Sequence, residues 1–177
     1  MTWDELRGAL RTAGLHRIDE GVAADTGALF VTGLAWDSRA VEPGNVFIAL
    51  KGLRADGNLF ATQAVSRGAV AIVSEQPPPA NVDVPWVTVP DARLALALLA
   101  ITFYGNPSAE MQVVGITGTN GKTTTAYLMA SIFEAAGIRC GIVGTVAHKV
   151  GDELREATRT TPEAPEIQGL LRDMVAA

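Results

Sequence analysis

The amino-acid sequence predicts an α/β protein built around parallel strands, and three observations predict it. Residues 46–50 and 69–73 are continuous apolar runs rich in β-branched side chains, with the length and lack of alternation expected of strands covered on both faces. Between them a helical pattern runs from Asn58 through Phe60, Ala64 and Val65 to Gly68, so strand, helix and strand follow in the order of a βαβ unit. A third run, Val113, Val114 and Ile116, passes through a glycine turn into a helix that starts near Lys122.

The remaining elements follow from local signals. Residues 3–13 pattern as a short helix with Leu6 and Leu10 on one side, closed by Gly14. Residues 29–34 read as a strand leading into Trp36-Asp37-Ser38-Arg39, and Pro43-Gly44-Asn45 as a turn. Residues 51–57 form a loop of turn residues, after which Asn58 can cap the next helix. Pro77-Pro78-Pro79 is an exposed connector, residues 85–89 are a further strand, and Asp91 caps a helix carrying Leu94, Leu98, Ile101 and Phe103 towards Gly105. Asn106-Pro107-Ser108 reads as a linker, dividing the chain into residues 1–107 and 108–177. In the second part, Leu128, Met129, Ile132 and Phe133 recur at helical spacing and Gly137 ends that helix as a left-handed cap. A strand around Ile142, a hairpin at Gly144-Thr145-Val146 with a charged tip of Asp152, Glu153, Arg155 and Glu156, and a helix opened by Pro162, Glu163 and Ala164 complete it.

With 177 residues, 48% of them hydrophobic, the chain has enough apolar material for one domain or two small ones. A formal charge of −5 without a basic run argues against a nucleic-acid binder. Cys140 is the one cysteine, which excludes a disulfide framework, fits a reducing cytosol and reads as a small buried apolar residue. Asp4 and Glu5 in the opening helix are unlike a secretory leader, and the longest apolar run, residues 94–101, is too short to span a bilayer. His16 and His148 stand apart from other ligand-type residues and read as surface or hairpin positions.

The chemistry concentrates in Gly118-Thr119-Asn120-Gly121-Lys122-Thr123-Thr124. Strand, glycine loop and helix start together make an anion site, where main-chain N–H groups converge on phosphate oxygens and the helix dipole adds favourable potential. Lys122 supplies a mobile positive charge and the Thr123 hydroxyl a ligand for Mg²⁺. The common phosphate-loop pattern has a glycine five positions before Gly121, where this chain has Ile116.

That variant loop resembles the one in the Mur ligases and their folylpolyglutamate synthetase relatives, ATP-dependent enzymes that join an amine to a carboxylate. Asp37-Ser38-Arg39, Pro43-Gly44, Phe47-Ile48-Ala49-Leu50-Lys51-Gly52, Asp56-Gly57 and Gly68-Ala69 are similar to the UDP-binding first domain of the Mur ligases that add the third and later residues of the peptidoglycan stem. Gly144-Thr145-Val146 and Thr160-Thr161-Pro162, in place of a Thr-x-Gly-Asn-x-Asn-Asn stretch, favour the branch that adds the third residue over the branch that adds D-alanyl-D-alanine.

The resemblance implies a UDP-binding α/β domain followed by the first part of a phosphate-loop central domain with a parallel sheet and flanking helices. It implies ATP and Mg²⁺ as cofactors, with UDP-N-acetylmuramoyl-L-alanyl-D-glutamate and a diamino acid, meso-diaminopimelate or L-lysine, as substrates. By position, Trp36 and Ser38 would face the uracil and ribose, and Leu53, Arg54 and Ala55 would flank the same pocket. An arginine such as Arg54 suits a diphosphate, and a serine at a strand end can donate to a base or sugar oxygen. Thr160 and Thr161 would meet the muramyl-dipeptide part or cap the following helix, with Arg159 where relatives often carry asparagine. Gln168 reads as a residue of a solvated helix face. An acidic magnesium ligand, a carbamylated lysine and the selection of the amino acid belong, by the same resemblance, to central and third domains beyond residue 177. Two functional readings follow: a portion of a cytoplasmic ligase, inactive by itself, or a stand-alone UDP-sugar or nucleotide-binding module.

Overall fold

The computed structural model describes residues 1–15, 18–20, 29–52, 55–157 and 161–177, which divide into two compact units, Met1–Phe103 and Tyr104–Ala177. The first unit opens with α1 (Trp3–Thr12), whose N-terminus is a capping box. Glu5 N–H donates to Thr2 Oγ1 and Thr2 N–H to the Glu5 carboxylate, a bond that also holds that carboxyl below the usual glutamate range. Gly14, at φ 70°, ends the helix as expected, its N–H reaching Arg11 O while Leu15 N–H reaches Leu10 O.

Five strands follow: β1 (Ile18–Glu20), β2 (Gly33–Ala35), β3 (Asn45–Ala49), β4 (Ala71–Ser74) and β5 (Trp86–Thr88). They form one sheet in the order β1-β5-β4-β3-β2, in which β2 to β5 run parallel and β1 pairs antiparallel with β5. In register, Phe47 lies beside Ile72 and Val73 beside Val87. The expected α/β class is confirmed: every residue of β3 and β4 is buried, because helices cover both faces. On one face α1 and α3 (Ala92–Phe103) bring Trp3, Leu6, Leu10, Leu96 and Leu99 onto Val46, Ile48, Val73 and Val87. On the other, α2 (Ala61–Ser66) lays Ala61 and Ala64 over Ala35, Phe47, Ile72 and Trp86.

Two boundaries differ from expectation. The strand expected over residues 29–34 starts only at Gly33, because Phe30 instead bridges to Thr2 and Trp3 N–H bonds Leu29 O. The helix expected from Asn58 begins as a 3₁₀ turn, Gly57–Phe60, capped by Asp56, and becomes α-helical at Ala61. Asp91 caps α3 as expected, accepting from Leu94 N–H at 2.8 Å. Gly57 is required for space: a methyl there would lie 2.7 Å from Leu50 O and 2.8 Å from Ala49 C and Leu50 N. Main chain inside a buried sheet cannot step aside, so Gly57→Ala is expected to destabilise this unit by about 2–3 kcal/mol. Thermal unfolding checks this; an unchanged Tm would mean that residues 51–57 relax freely.

The second unit contains α4 (Lys122–Ala135), β6 (Ile142–Val143), β7 (Ala147–Val150), β8 (Glu153–Glu156) and α5 (Ala164–Ala176). Its start is tied to α5 by Arg172, which donates to Tyr104 O at 2.8 Å and Gly105 O at 2.9 Å and pairs with Glu110 at 2.7 Å. Gly137 caps α4 as expected: at φ 77° its N–H reaches Glu134 O, and Ile138 N–H reaches Phe133 O. The hairpin also forms, but as an antiparallel sheet in the order β6-β7-β8, so the strand around Ile142 pairs with β7 and lies in no parallel ladder. The strand expected at Val113, Val114 and Ile116 does not form. Val113 is 62% and Val114 58% exposed, because no described strand of this unit lies alongside to pair with them.

Candidate functional site

The second unit presents the loop from Gly118 to Lys122 on an open surface, with residues 117–125 all exposed. Gly121, at φ 77°, is the N-cap of α4, and no side chain caps the helix. An added methyl at Gly121 would meet nothing within 4 Å, so glycine is needed there for its conformation alone. Thr125 N–H makes the first ladder bond, to Gly121 O at 2.9 Å, which leaves the N–H groups of Lys122, Thr123 and Thr124 ahead of the ladder. Lys122 Nζ donates to Gly118 O at 2.5 Å, folding the ammonium back across the loop. Open donors, a positive helix end and an ammonium thus belong to one loop and helix start, a set of groups that can hold a phosphate chain.

Thr119 and Asn120 form the exposed crest of that loop, and Thr124 lies on the first turn of α4 with Thr123. The Thr123 hydroxyl is a hard oxygen donor beside the open amides, and Mg²⁺ needs only one or two protein ligands when phosphate oxygens and water complete its shell. The residues therefore fit the ion as part of a nucleotide site. Among the described residues no group of three or more His, Cys, Asp or Glu could hold a metal by itself.

A second constellation lies at the carboxyl ends of the parallel strands of the first unit. Asp37 accepts from Arg39 N–H at 2.9 Å and pairs with the Arg39 guanidinium at 2.7 Å, the local aspartate turn that the sequence allows. Ser38, 7% exposed, donates its hydroxyl to Gln63 Oε1 of α2 at 2.8 Å. Trp36 is half-buried and packs against the core that includes α1 and α3, so it lies with the opposite helical layer from the Ser38 partner. Ala55 is exposed, its carbonyl accepting from Gly52 N–H at 2.9 Å; Leu53 and Arg54 lie outside the described residues.

Asp56 belongs to a polar network that sequence reasoning missed. The Asp56 carboxylate accepts from Asn58 N–H at 3.0 Å, Asn58 Nδ2 at 2.7 Å and Gln76 Nε2 at 3.1 Å. The main-chain bond from Asn58 is the chief cause that keeps the Asp56 carboxyl below the usual aspartate range. Fully buried Ser74, at the end of β4, bonds Asn58 Oδ1 and accepts from Gln76 N–H, while Trp86 Nε1 donates to Gln76 O. Asp56 reads in the sequence as a turn residue and as part of the Asp56-Gly57 pair of the resemblance, and nothing local marks Gln63 or Gln76.

Thr160 lies outside the described residues, as does Arg159, and Thr161 is exposed. The capping task open to Thr161 falls instead to Glu163, which forms a capping box with Glu166. Beside Thr161, a cavity of about 210 Å³ is lined by His148, Arg155, Glu156, Pro162, Glu166 and Leu170. His148 belongs to the hairpin as read but is buried, and Gln168 is half-buried; His148 Nδ1 and Gln168 Oε1 are buried without a hydrogen-bond partner among the described residues. Arg155 pairs with Glu153 and Asp173, giving the hairpin tip a fixed ion-pair partner on α5. Cys140 is half-buried, and His16 lies outside the described residues.

Comparison with known proteins identifies the family. A model described as the Mur ligase middle domain matches residues 116–177, and one described as Mur ligase family, catalytic domain, matches residues 30–104. The UDP-N-acetylmuramyl-tripeptide synthetase of Roseiflexus sp. (strain RS-1) is 48% identical over 150 residues, covering 83% of this chain and 30% of the relative. The UDP-N-acetylmuramoyl-L-alanyl-D-glutamate–2,6-diaminopimelate ligase of Geobacillus thermodenitrificans is 48% identical over 145 residues, covering 82% and 29%. A solved structure of such a diaminopimelate ligase superposes with a TM-score of 0.65 at 27% identity, over 89% of this chain and 32% of that one. The MurF ligase from Thermotoga maritima, in complex with ADP, superposes with a TM-score of 0.55 at 27% identity, over 81% and 30%. The chain thus spans about 30% of the length of the curated relatives it matches. Two models of one family fall in succession on the two units that carry the two constellations, and with relatives at 48% identity the chain belongs to the Mur ligase family, whose members are ATP-dependent ligases.

Proposed function

We propose that this chain carries the nucleotide-sugar grip and the phosphate loop of a cytoplasmic MurE-type ligase of peptidoglycan synthesis. Residues 1–107 would hold the UDP end of UDP-N-acetylmuramoyl-L-alanyl-D-glutamate, and residues 108–177 would begin the ATP-binding central domain. The observation that carries this reading is the uncapped start of α4 behind Gly121, with Lys122 folded over the loop. Diaminopimelate is the favoured amino acid, since that substrate stands in the name of a relative at 48% identity. Among the described residues no helix is long and apolar enough to cross a membrane.

The reaction is acyl activation. A side-chain carboxylate oxygen of D-glutamate takes the γ-phosphoryl group of ATP, releasing ADP, and the amine of the diamino acid attacks the acyl phosphate, expelling phosphate and losing a proton. Lys122 and the free amides of α4 hold the β- and γ-phosphates as charge shifts between oxygens, so their contribution is positioning and electrostatic. The Thr123 hydroxyl would hold a magnesium ion, which would supply charge neutralisation at the phosphates. Thr161, with Thr160, would meet the dipeptide portion of the substrate.

Calorimetric titration of the chain with UDP-N-acetylmuramoyl-L-alanyl-D-glutamate tests the first half of this reading. Saturable binding is expected, weakened about tenfold or more by Ser38→Ala through loss of one buried hydrogen-bonding group. A folded chain that shows no saturable binding overturns it.

A further inference from the structure

We infer that Ser38 and Gln63 act as one unit that selects the pyrimidine of the bound nucleotide, with Gln63 as a specificity-determining residue for uracil over cytosine. This rests on the reading that the first unit binds a uridine nucleotide.

The two residues come together from separate elements at one edge of the sheet. Ser38 opens the 3₁₀ turn Ser38–Ala40 that follows β2, and Gln63 lies in the first half of α2, after the loop that leaves β3. Both therefore sit outside the carboxyl ends of parallel strands, the side on which open α/β sheets take their ligands. Asp56, bonded to Asn58 and Gln76, borders the same edge.

The hydrogen bond between the two residues decides what each has left to offer. The Ser38 hydroxyl proton is committed to Gln63 Oε1 at 2.8 Å, so the remaining capacity of Ser38 Oγ is that of an acceptor. With Oε1 occupied by that proton, the amide NH₂ of the exposed Gln63 side chain remains as a pair of donors. An acceptor beside a donor matches the uracil edge, where N3–H donates and O4 accepts. Cytosine reverses that edge: its N3 accepts and its exocyclic amine donates, so both contacts would set like against like. Rejection of a ligand that leaves polar groups of a site unpaired is the strong form of discrimination. Burial of Ser38 sharpens this, because its Oγ has little access to compensating water.

A purely structural role makes a different prediction. If the bond only fastened the turn after β2 to α2, any acceptor at position 63 would serve equally. Gln63→Glu separates the two roles: the carboxylate still accepts the Ser38 proton, but the amide donors are gone and an acceptor stands in their place. The added negative charge would weaken any diphosphate ligand alike, so the ratio of two nucleotides with the same diphosphate isolates the base.

The experiment is titration of the complete 177-residue chain and its Gln63→Glu variant with UDP and with CDP, alongside thermal unfolding of both proteins. The wild-type chain is expected to favour UDP over CDP at least tenfold. Gln63→Glu should keep the wild-type Tm within about 1 °C while the UDP-to-CDP affinity ratio falls at least tenfold. A wild type that binds UDP with a ratio unmoved by Gln63→Glu overturns this inference and leaves the uridine site standing. Equal loss of both nucleotides in the variant does the same, since it reports charge or structure and not base recognition. A folded wild type that binds neither nucleotide removes the uridine-site reading, and the inference with it.

Discussion

Lys122→Ala should reduce ligation by a complete enzyme built on this chain at least about 10³-fold, or roughly 4 kcal/mol of transition-state stabilisation, with little change in Tm. The separation of the two effects follows from where the side chain is. Lys122 is exposed, and its ammonium donates to Gly118 O at 2.5 Å, so its removal empties no core and orphans no buried group. Its role lies in meeting charge on the phosphate chain, where the open amides of α4 are fixed in place and the ammonium is the mobile element. Lys122→Arg tests this further. It keeps the charge but replaces a compact ammonium on a flexible stem by a broad planar fork, and it should stay severely impaired because the loop is formed for a point charge. Ligation rates of the two variants, measured beside their unfolding curves, decide the matter; an active, folded Lys122→Ala enzyme would end the assignment.

Legibility in the sequence tracked how local each cause was. Gly14 and Gly137 close their helices as read, and Asp91 caps α3, because each device needs only neighbours within one turn. The strands β3 and β4 were legible from continuous apolar runs, since burial on both faces removes the polar alternation that would otherwise mark a strand. The turn at Gly121 and the helix start at Lys122 were legible for a local reason too, since a glycine at φ 77° dictates the backbone there. Gln63 was not, because its meaning comes from Ser38, 25 residues away, and an exposed glutamine on a helix carries no local signal. Asp56 reads as a turn former and serves as one, yet its bond to Gln76 spans 20 residues. Val113 and Val114 failed in the other direction. Their β propensity is plain, but a strand is a relation between two segments, and propensity cannot supply the second one.

That unpaired stretch and α4 share a surface logic that yields the other large expected effect. Ala130 of α4 is buried and Phe133 half-buried, which marks the face turned to its own unit. Leu128 and Ile132, one turn apart on the other side, are 61% and 67% exposed. A helix apolar on both sides is the pattern of one covered on both sides, and among the described residues nothing covers the second side; Val113 and Val114 are exposed as well. On the proposed function, the remaining strands of a central domain would pair with the Val113 stretch and bury the outer face of α4. The double substitution Leu128→Glu with Ile132→Glu should therefore behave oppositely in two settings. In the present chain it should leave Tm within about 1 °C and reduce self-association, because both carboxylates stay in water. In a chain extended through the remaining domains it should cost more than about 5 kcal/mol and abolish folding, because two unpaired carboxylates would enter a dry interface. Unfolding curves and sedimentation of both forms measure this. An extended chain that tolerates the pair would show that the outer face of α4 stays in solvent and that the bare apolar surface serves some other contact.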